Sequence, residues 1–223
     1  MGSVTMRDAF FDSLYEIARK DKNVIIVSAD MGAPSLDKFR ENLAEQFVNV
    51  GIAEANMVTV ATGLALGGKK VLIYAIMPFV TSRCYEFLKV DVSLMNIPIT
   101  IVGVGPGFGY DDSGPTHHCT EDISIMRALP NMTILSPSDS VMTSAFARFV
   151  CKHENPSYIR LDRQVQPILY DAKKQFKNGC YKLRKGDDIC ILATGNMVHR
   201  ALEVAELLSE QSIKASVVDV YIL

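Results

Sequence analysis

Short runs of consecutive apolar residues recur along this chain, each pair separated by enough residues for one helix. Val24-Ile-Ile-Val27, Lys70-Val-Leu-Ile-Tyr-Ala75, Ile97–Val104, Met132–Leu135 and Ser157–Leu161 are such runs. They read as strands, and the unbroken apolar character of the first of them is the mark of burial on both faces. Between them lie stretches with helical periodicity. Thr5–Lys20 places Phe10, Leu14, Ile17 and Ala18 on one stripe, with Thr5 and Asp8 spaced as a capping box. Further helices are predicted over Ser35–Ala44, Val80–Leu94, Glu121–Ala128 and Ser138–Val150. This alternation dictates an α/β fold, a mostly parallel sheet with helices on both faces. Open sheets of that kind place ligands at the carboxyl ends of their strands.

After Arg163 the pattern weakens. Residues 1–165 form the predicted first domain, and the polar, irregular residues 166–185 read as a linker. Residues 186–223 hold one βαβ unit: a strand at Asp188–Ala193, a helix to about Glu210 and a strand at Lys214–Val220. A single unit is too small to stand as a domain. It is expected either to continue into a larger sheet or to lean on another surface.

The totals exclude several classes. The 223 residues are 48% hydrophobic with mean hydropathy +0.15, enough for a sizeable core. The net charge of −2, with scattered basic residues, offers no surface for nucleic acid or for an anionic membrane. No apolar run reaches the ~18 residues of a membrane span, and Met1–Arg7 lacks the order of a signal peptide. The five cysteines form no CxxC pair, which points to reduced thiols and a cytoplasmic setting.

The central stretch is Phe47-Val-Asn-Val-Gly-Ile-Ala-Glu-Ala-Asn-Met57. An apolar strand breaks at Gly51, and an alanine-rich helix follows, ended by Gly67-Gly68. Glu54 falls in the first helical turn, where the dipole favours a carboxylate. Capping its own helix is one use for it. Its sequence neighbours Ile52, Ala53 and Ala55 cannot neutralise it, and an acid in apolar surroundings is suited to proton transfer.

Other candidates follow the remaining strands. Ser28 and Asp30 lie in the turn after the first strand and serve either to close it or to meet a ligand. Phe79, just past Tyr74-Ala-Ile-Met-Pro, is either core or a stacking surface for a flat heterocycle. Arg83 and Glu86 have the spacing of a helix-surface pair. The glycines of Gly103-Val-Gly-Pro-Gly-Phe-Gly109 fall at every other position, so they make no phosphate-binding fingerprint and suggest a flexible loop. Ser113-Gly-Pro-Thr-His-His118 delivers two adjacent histidines. Acid–base work or contact with a substrate hydroxyl suits them better than a metal, because nothing completes a ligand set. Arg160-Leu-Asp-Arg163 offers a guanidinium to phosphate or carboxylate, or a surface ion pair.

Taken together, Gly51-Ile-Ala-Glu-Ala-Asn-Met57, Phe79 and Gly114-Pro-Thr-His117 resemble, in order and spacing, the pyrimidine-binding section of the transketolase family. The resemblance implies thiamine diphosphate and Mg²⁺ as cofactors. It implies that Glu54 hydrogen-bonds N1′ of the aminopyrimidine and favours the imino tautomer, through which the thiazolium becomes a carbanion. It places Ile52 against the bent cofactor, Phe79 on the pyrimidine ring and Ile76 where many members have a second aromatic. It places Ser28 near a sugar phosphate, His117 with Asp112 and Ser113 at substrate hydroxyls, and Arg163 at a substrate phosphate. Two departures stand out. Ser113 occupies the place of a family aspartate, and Gly105 that of a further histidine.

The family's Gly-Asp-Gly…Asn diphosphate and magnesium motif is absent, and Gly186-Asp-Asp188 lies outside the right context. No metal-ligating residue is therefore assigned, and Mg²⁺ needs fixed oxygen ligands. The resemblance thus implies the C-terminal half of a split transketolase that transfers a two-carbon ketol or acyl unit between sugar phosphates or aldehydes. A diphosphate-binding partner subunit would complete it in a homodimer or an α2β2 heterotetramer. The alternatives are a deoxyxylulose-phosphate-synthase-like enzyme, the β-subunit of a 2-oxo acid dehydrogenase, a non-catalytic scaffold chain and a doubly wound nucleotide-binding module without thiamine.

Overall fold

A computed structural model of the chain describes residues 4–223. The first unit runs α1 (Met6–Ala18), β1 (Val24–Ser28), α2 (Asp37–Asn42), β2 (Phe47–Asn49), α3 (Glu54–Leu66), β3 (Lys70–Ile76), α4 (Met77–Val80), α5 (Tyr85–Phe87), β4 (Ile99–Val104), α6 (Asp122–Arg127), β5 (Thr133–Leu135), α7 (Ser140–Val150) and β6 (Ser157–Leu161). The second has β7 (Cys180–Arg184), β8 (Ile189–Ala193), α8 (Met197–Glu210) and β9 (Ala215–Val220).

The first six strands form one sheet in the order β2-β1-β3-β4-β6-β5, parallel throughout. Every residue of β1 and β4 is buried, as their unbroken apolar runs require. Two cores flank the sheet. One packs Phe10, Phe11 and Leu14 of α1 with Met142 and Phe146 of α7 against Ile26, Leu72 and Val102. The other packs Met57, Val58 and Ala61 of α3 against Val27, Ile73 and Ile101. The α/β expectation therefore holds. β2 differs in being an outer, half-buried strand.

Thr5 caps α1, its Oγ1 accepting from the Asp8 amide at 3.1 Å and donating to the Asp8 carboxylate at 2.8 Å. The helix expected over Val80–Leu94 is broken instead. Thr81 Oγ1 donates to the Met77 carbonyl at 2.7 Å and Cys84 Sγ to the Phe79 carbonyl at 3.0 Å. These side chains compete with the backbone ladder. Leu88–Leu94 then forms a wider π-helical turn.

The stretch expected as linker, 166–185, also differs. Its last residues, Cys180–Arg184, form β7, antiparallel to β9, while β8 lies parallel to β9 on the other side. β7 is largely exposed, so it carries no continuous apolar run that could announce it. Tyr170 and Phe176, from the same stretch, are buried in the first core beside Tyr221, so the segment is a packed strap. Among the described residues no helix is long and apolar enough to cross a membrane.

Candidate active site

Parallel pairing brings the carboxyl ends of β1, β2, β3, β4 and β6 to one edge of the sheet, and the candidate residues leave from that edge. Ser28 ends β1, Ile52 and Glu54 follow β2, and Ile76 and Phe79 lie at the β3–α4 junction. Asp112, Ser113 and His117 follow β4, and Arg163 follows β6. Gly51, at φ +75, makes the turn into α3, and Asn49 secures it. The Asn49 side-chain oxygen accepts from the amides of Gly51 and Asp30, each at 3.0 Å, and its Nδ2 donates to the Asp30 carboxylate at 3.0 Å. One side chain thus ties two of the loops at this edge together.

Glu54 is 6% exposed at the start of α3, and α3 has no side-chain cap. The expectation that nothing nearby neutralises it is overturned. Arg83 Nη1 donates to Glu54 Oε1 at 2.9 Å. Arg83 therefore does not form the surface pair with Glu86 that their spacing suggests. Its Cζ lies 4.1 Å from the centroid of the Phe79 ring. Phe79 in turn meets the His117 ring edge-on, with centroids 5.0 Å apart. Tyr110 stands 6.0 Å beyond His117 and carries the guanidinium of Arg163 over its ring at 4.6 Å. Arg163 approaches Asp112 at 3.9 Å, and Ser113 Oγ donates to the Asp112 carboxylate at 3.2 Å. Glu54, Phe79, His117, Asp112, Ser113 and Arg163 are so joined in one continuous contact chain through Arg83 and Tyr110.

Three candidates stand apart from that chain. Ile52 is 80% exposed. Ile76 packs against the first core. Ser28 is buried, pairs in register with Tyr74, and its Oγ, like the Tyr74 hydroxyl, has no hydrogen-bond partner among the described residues. The two adjacent histidines diverge: His117 faces Phe79, whereas His118 packs on Phe108 at 4.9 Å. Among the described residues no group of three His, Cys, Asp or Glu is placed to hold a metal ion. The glycine-rich loop is clasped, Gly107 and Cys119 exchanging backbone hydrogen bonds at 2.7 and 2.8 Å. Arg160 forms no surface pair with its neighbours and is bound instead to buried Asp122.

Sequence reasoning read Arg83 only as half of a surface pair and missed Tyr110, Asn49 and Arg7. Arg7 pairs with Asp8 at 3.0 Å in the first turn of α1. Burial pushes the Tyr110 phenol above its ordinary value, while the positive charges of Arg163 and Arg7 pull the other way. A cation in the first turn of a helix opposes the dipole, and that was the available signal for Arg7. No periodicity marks Arg83 or Tyr110, because their charged partners, Glu54 and Arg163, are distant in sequence.

The fold and this edge define a class: a doubly wound α/β unit whose strand ends gather a nearly buried acid, an aromatic face, a histidine and an arginine. The chain belongs to the transketolase family. The family model described as the transketolase pyrimidine binding domain matches residues 2–167, and that of the transketolase C-terminal domain matches 179–223. The chain is 37% identical, over 97% of its own length and 68% of the relative's, to the 6-deoxy-6-sulfo-D-fructose transketolase subunit of a Clostridium species. It is 34% identical to 1-deoxy-D-xylulose-5-phosphate synthase of Desulfotalea psychrophila, over 98% of this chain but 35% of that enzyme. A solved structure described as a split-gene transketolase, an inactive β4 tetramer, superposes with a TM-score of 0.88 at 30% identity, over 98% of this chain and 71% of that one. This chain is thus similar to the C-terminal subunit of split transketolases, and its relatives are transferase-type enzymes.

Proposed function

We propose that the chain is the pyrimidine-binding half of a thiamine-diphosphate- and Mg²⁺-dependent transferase that moves a two-carbon ketol unit between sugar phosphates or aldehydes. The observation that carries this reading is Glu54: nearly buried, tied through Oε1 only, with Oε2 free of any hydrogen bond among the described residues. A free carboxylate oxygen and an aromatic ring match in chemistry the nitrogen edge and the face of a flat heterocycle, and the Ile52 side chain is exposed at the same strand edge. Thiamine diphosphate, when bound, supplies the nucleophilic carbon that takes up the ketol unit. Glu54 holds the proton shared with the ring nitrogen. His117, hydrogen-bonded through Nδ1 to Thr116 Oγ1 at 3.0 Å, presents its other ring nitrogen to a substrate oxygen. Arg163 lies over the Tyr110 ring, a guanidinium setting suited to a sugar phosphate, and the unpartnered Ser28 hydroxyl lies on the same strand edge.

The diphosphate and its Mg²⁺ are assigned to a partner chain, because the family motif for them is absent here. The names of relatives support this: one is a transketolase subunit at 37% identity and another a split-gene transketolase at 30% identity. Leu66 on α3, with Val90, Leu94 and Met95 at the adjacent π-turn, is exposed, a surface suited to a homodimer or an α2β2 assembly. Five free thiols fit a reducing compartment such as the cytoplasm. We place the domain boundary at residue 165 and begin the second unit at β7 rather than at residue 186.

Calorimetric titration of thiamine diphosphate with Mg²⁺ into the chain, its partner and their mixture tests the reading. Binding confined to the mixture is expected. Tight binding to this chain alone would overturn the partner assignment, and no binding in any case would favour a scaffold role. Glu54→Gln should abolish transfer in the assembled complex with folding intact.

A further inference from the structure

The two groups assigned to ring recognition, Glu54 and Phe79, stand on different elements, α3 and α4, and Arg83 joins them. It lies in the turn between α4 and α5, its amide donating to the Pro78 carbonyl at 3.1 Å. From there one guanidinium donates to Glu54 Oε1 at 2.9 Å and lies 4.1 Å from the Phe79 ring centroid. The ion pair is asymmetric: the Arg83 side chain is 48% exposed and that of Glu54 7%. Exposed pairs contribute little, but a nearly buried carboxylate needs a partner to offset its desolvation. Arg83 supplies that partner without using up the acid, because it takes one oxygen and leaves the other free. A planar fork can also stack flat on an aromatic ring while it donates in its own plane, which a lysine ammonium cannot do.

We infer that Arg83 is a positioning residue: it sets the Glu54 carboxylate and the Phe79 ring as one unit, so that the free oxygen and the ring meet the edge and face of the same flat heterocycle. This rests on the role proposed above for Glu54.

The test uses the chain assembled with its partner and thiamine diphosphate plus Mg²⁺ as the probe. Affinity is measured by calorimetry, and folding by thermal unfolding, for wild type, Arg83→Lys, Arg83→Met, Glu54→Gln and the double variant Arg83→Met/Glu54→Gln. Arg83→Met should weaken cofactor binding by roughly ten- to a hundredfold, the range of one hydrogen bond to a charged group, with Arg83→Lys between it and wild type. In the Glu54→Gln background the same change should have a smaller further effect, because the share carried through the carboxylate is already lost and only that carried through Phe79 remains. Wild-type affinity in Arg83→Met, or an equal loss in both backgrounds, would overturn the inference. The half-exposed site predicts that all variants fold; should Arg83→Met not do so, Arg83→Lys carries the comparison in both backgrounds. Ordinary turnover in Glu54→Gln would instead remove the role of Glu54. Loss of turnover there, with affinity indifferent to Arg83, would remove only the role given to Arg83.

Discussion

The ring of Tyr110 occupies the space that a side chain on Gly105 would fill: a Cβ placed there would collide with Tyr110 Cε2 and Cδ2. Gly105 also sits at φ +85, a conformation that side-chain-bearing residues adopt only with strain. Position 105, where the resemblance to the family implies a histidine in other members, is therefore closed to one here by both backbone and neighbour. Gly105→Ala should destabilise the chain by about 1–3 kcal/mol, the range of one strained residue, read by denaturant unfolding. Adding Tyr110→Ala should recover the steric share of that loss and leave the backbone share. Equal stability of Gly105→Ala and wild type would show that the loop moves freely.

The five thiols divide sharply. Burial pushes Cys84 and Cys119 up to about 12 and Cys151 to about 11, whereas Cys180 and Cys190 are exposed. Thiolate is the reactive form, so a disulfide exchange reagent at pH 8 should label two thiols quickly in the native chain. The remaining three should react only after unfolding. Fast labelling of a third would mean that the packing around Cys84, Cys119 or Cys151 opens readily.

Legibility in the sequence followed the range of the interaction. The six-stranded sheet was readable because its buried strands repeat as continuous apolar runs, and Thr5 because its capping partner lies three residues away. β7 was not, since its residues are exposed and its partner strand, β9, comes late in the chain. Most candidate residues lie together at strand ends because each was read from a local motif that follows a strand. What was invisible was how they are joined. Glu54 meets Arg83, and Tyr110 meets both Gly105 and Arg163, across spans that no periodicity records. The broken helix after Pro78 was missed for a related reason: the hydroxyl of Thr81 and the thiol of Cys84 each choose a backbone carbonyl over solvent, a choice that apolar spacing cannot express.

His153 gives a pH dependence with a definite sign. Burial lowers its affinity for a proton below the ordinary value of 6.5, with Glu154 opposing. Its Nε2 is 2.9 Å from Thr133 Oγ1, and its ring stacks on Phe149 at 4.7 Å. The folded state therefore prefers the neutral ring, while the unfolded chain takes up the proton first as pH falls. The contribution is fully present above about pH 6.5 and is lost as pH falls through the lowered folded value. Thermal unfolding of wild type should weaken, relative to His153→Gln, between pH 7 and 5. Parallel profiles for the two proteins would show that His153 titrates as though it were in water.

Asp122 anchors the most buried charge pair of the first unit. Its carboxylate is 1% exposed and accepts from Tyr158 Oη at 2.7 Å and from Arg160 Nη2 at 3.2 Å, with Arg160 Nε as a further donor. Arg160 also donates to Ser136 Oγ at 3.1 Å, so one guanidinium ties α6 and the loop after β5 to β6. Replacing such a cluster by matched apolar groups can be harmless, but removing one partner strands a buried charge. Asp122→Ala should therefore cost about 3–5 kcal/mol, while Tyr158→Phe, which removes one donor to the carboxylate and leaves the ion pair, should cost less, about 1.5–3 kcal/mol. The comparison is decisive because both changes touch the same carboxylate. If denaturant unfolding gave similar losses for the two, the charge on Arg160 would have to reach water when Asp122 is gone, and the cluster would hold the strands in place by shape alone.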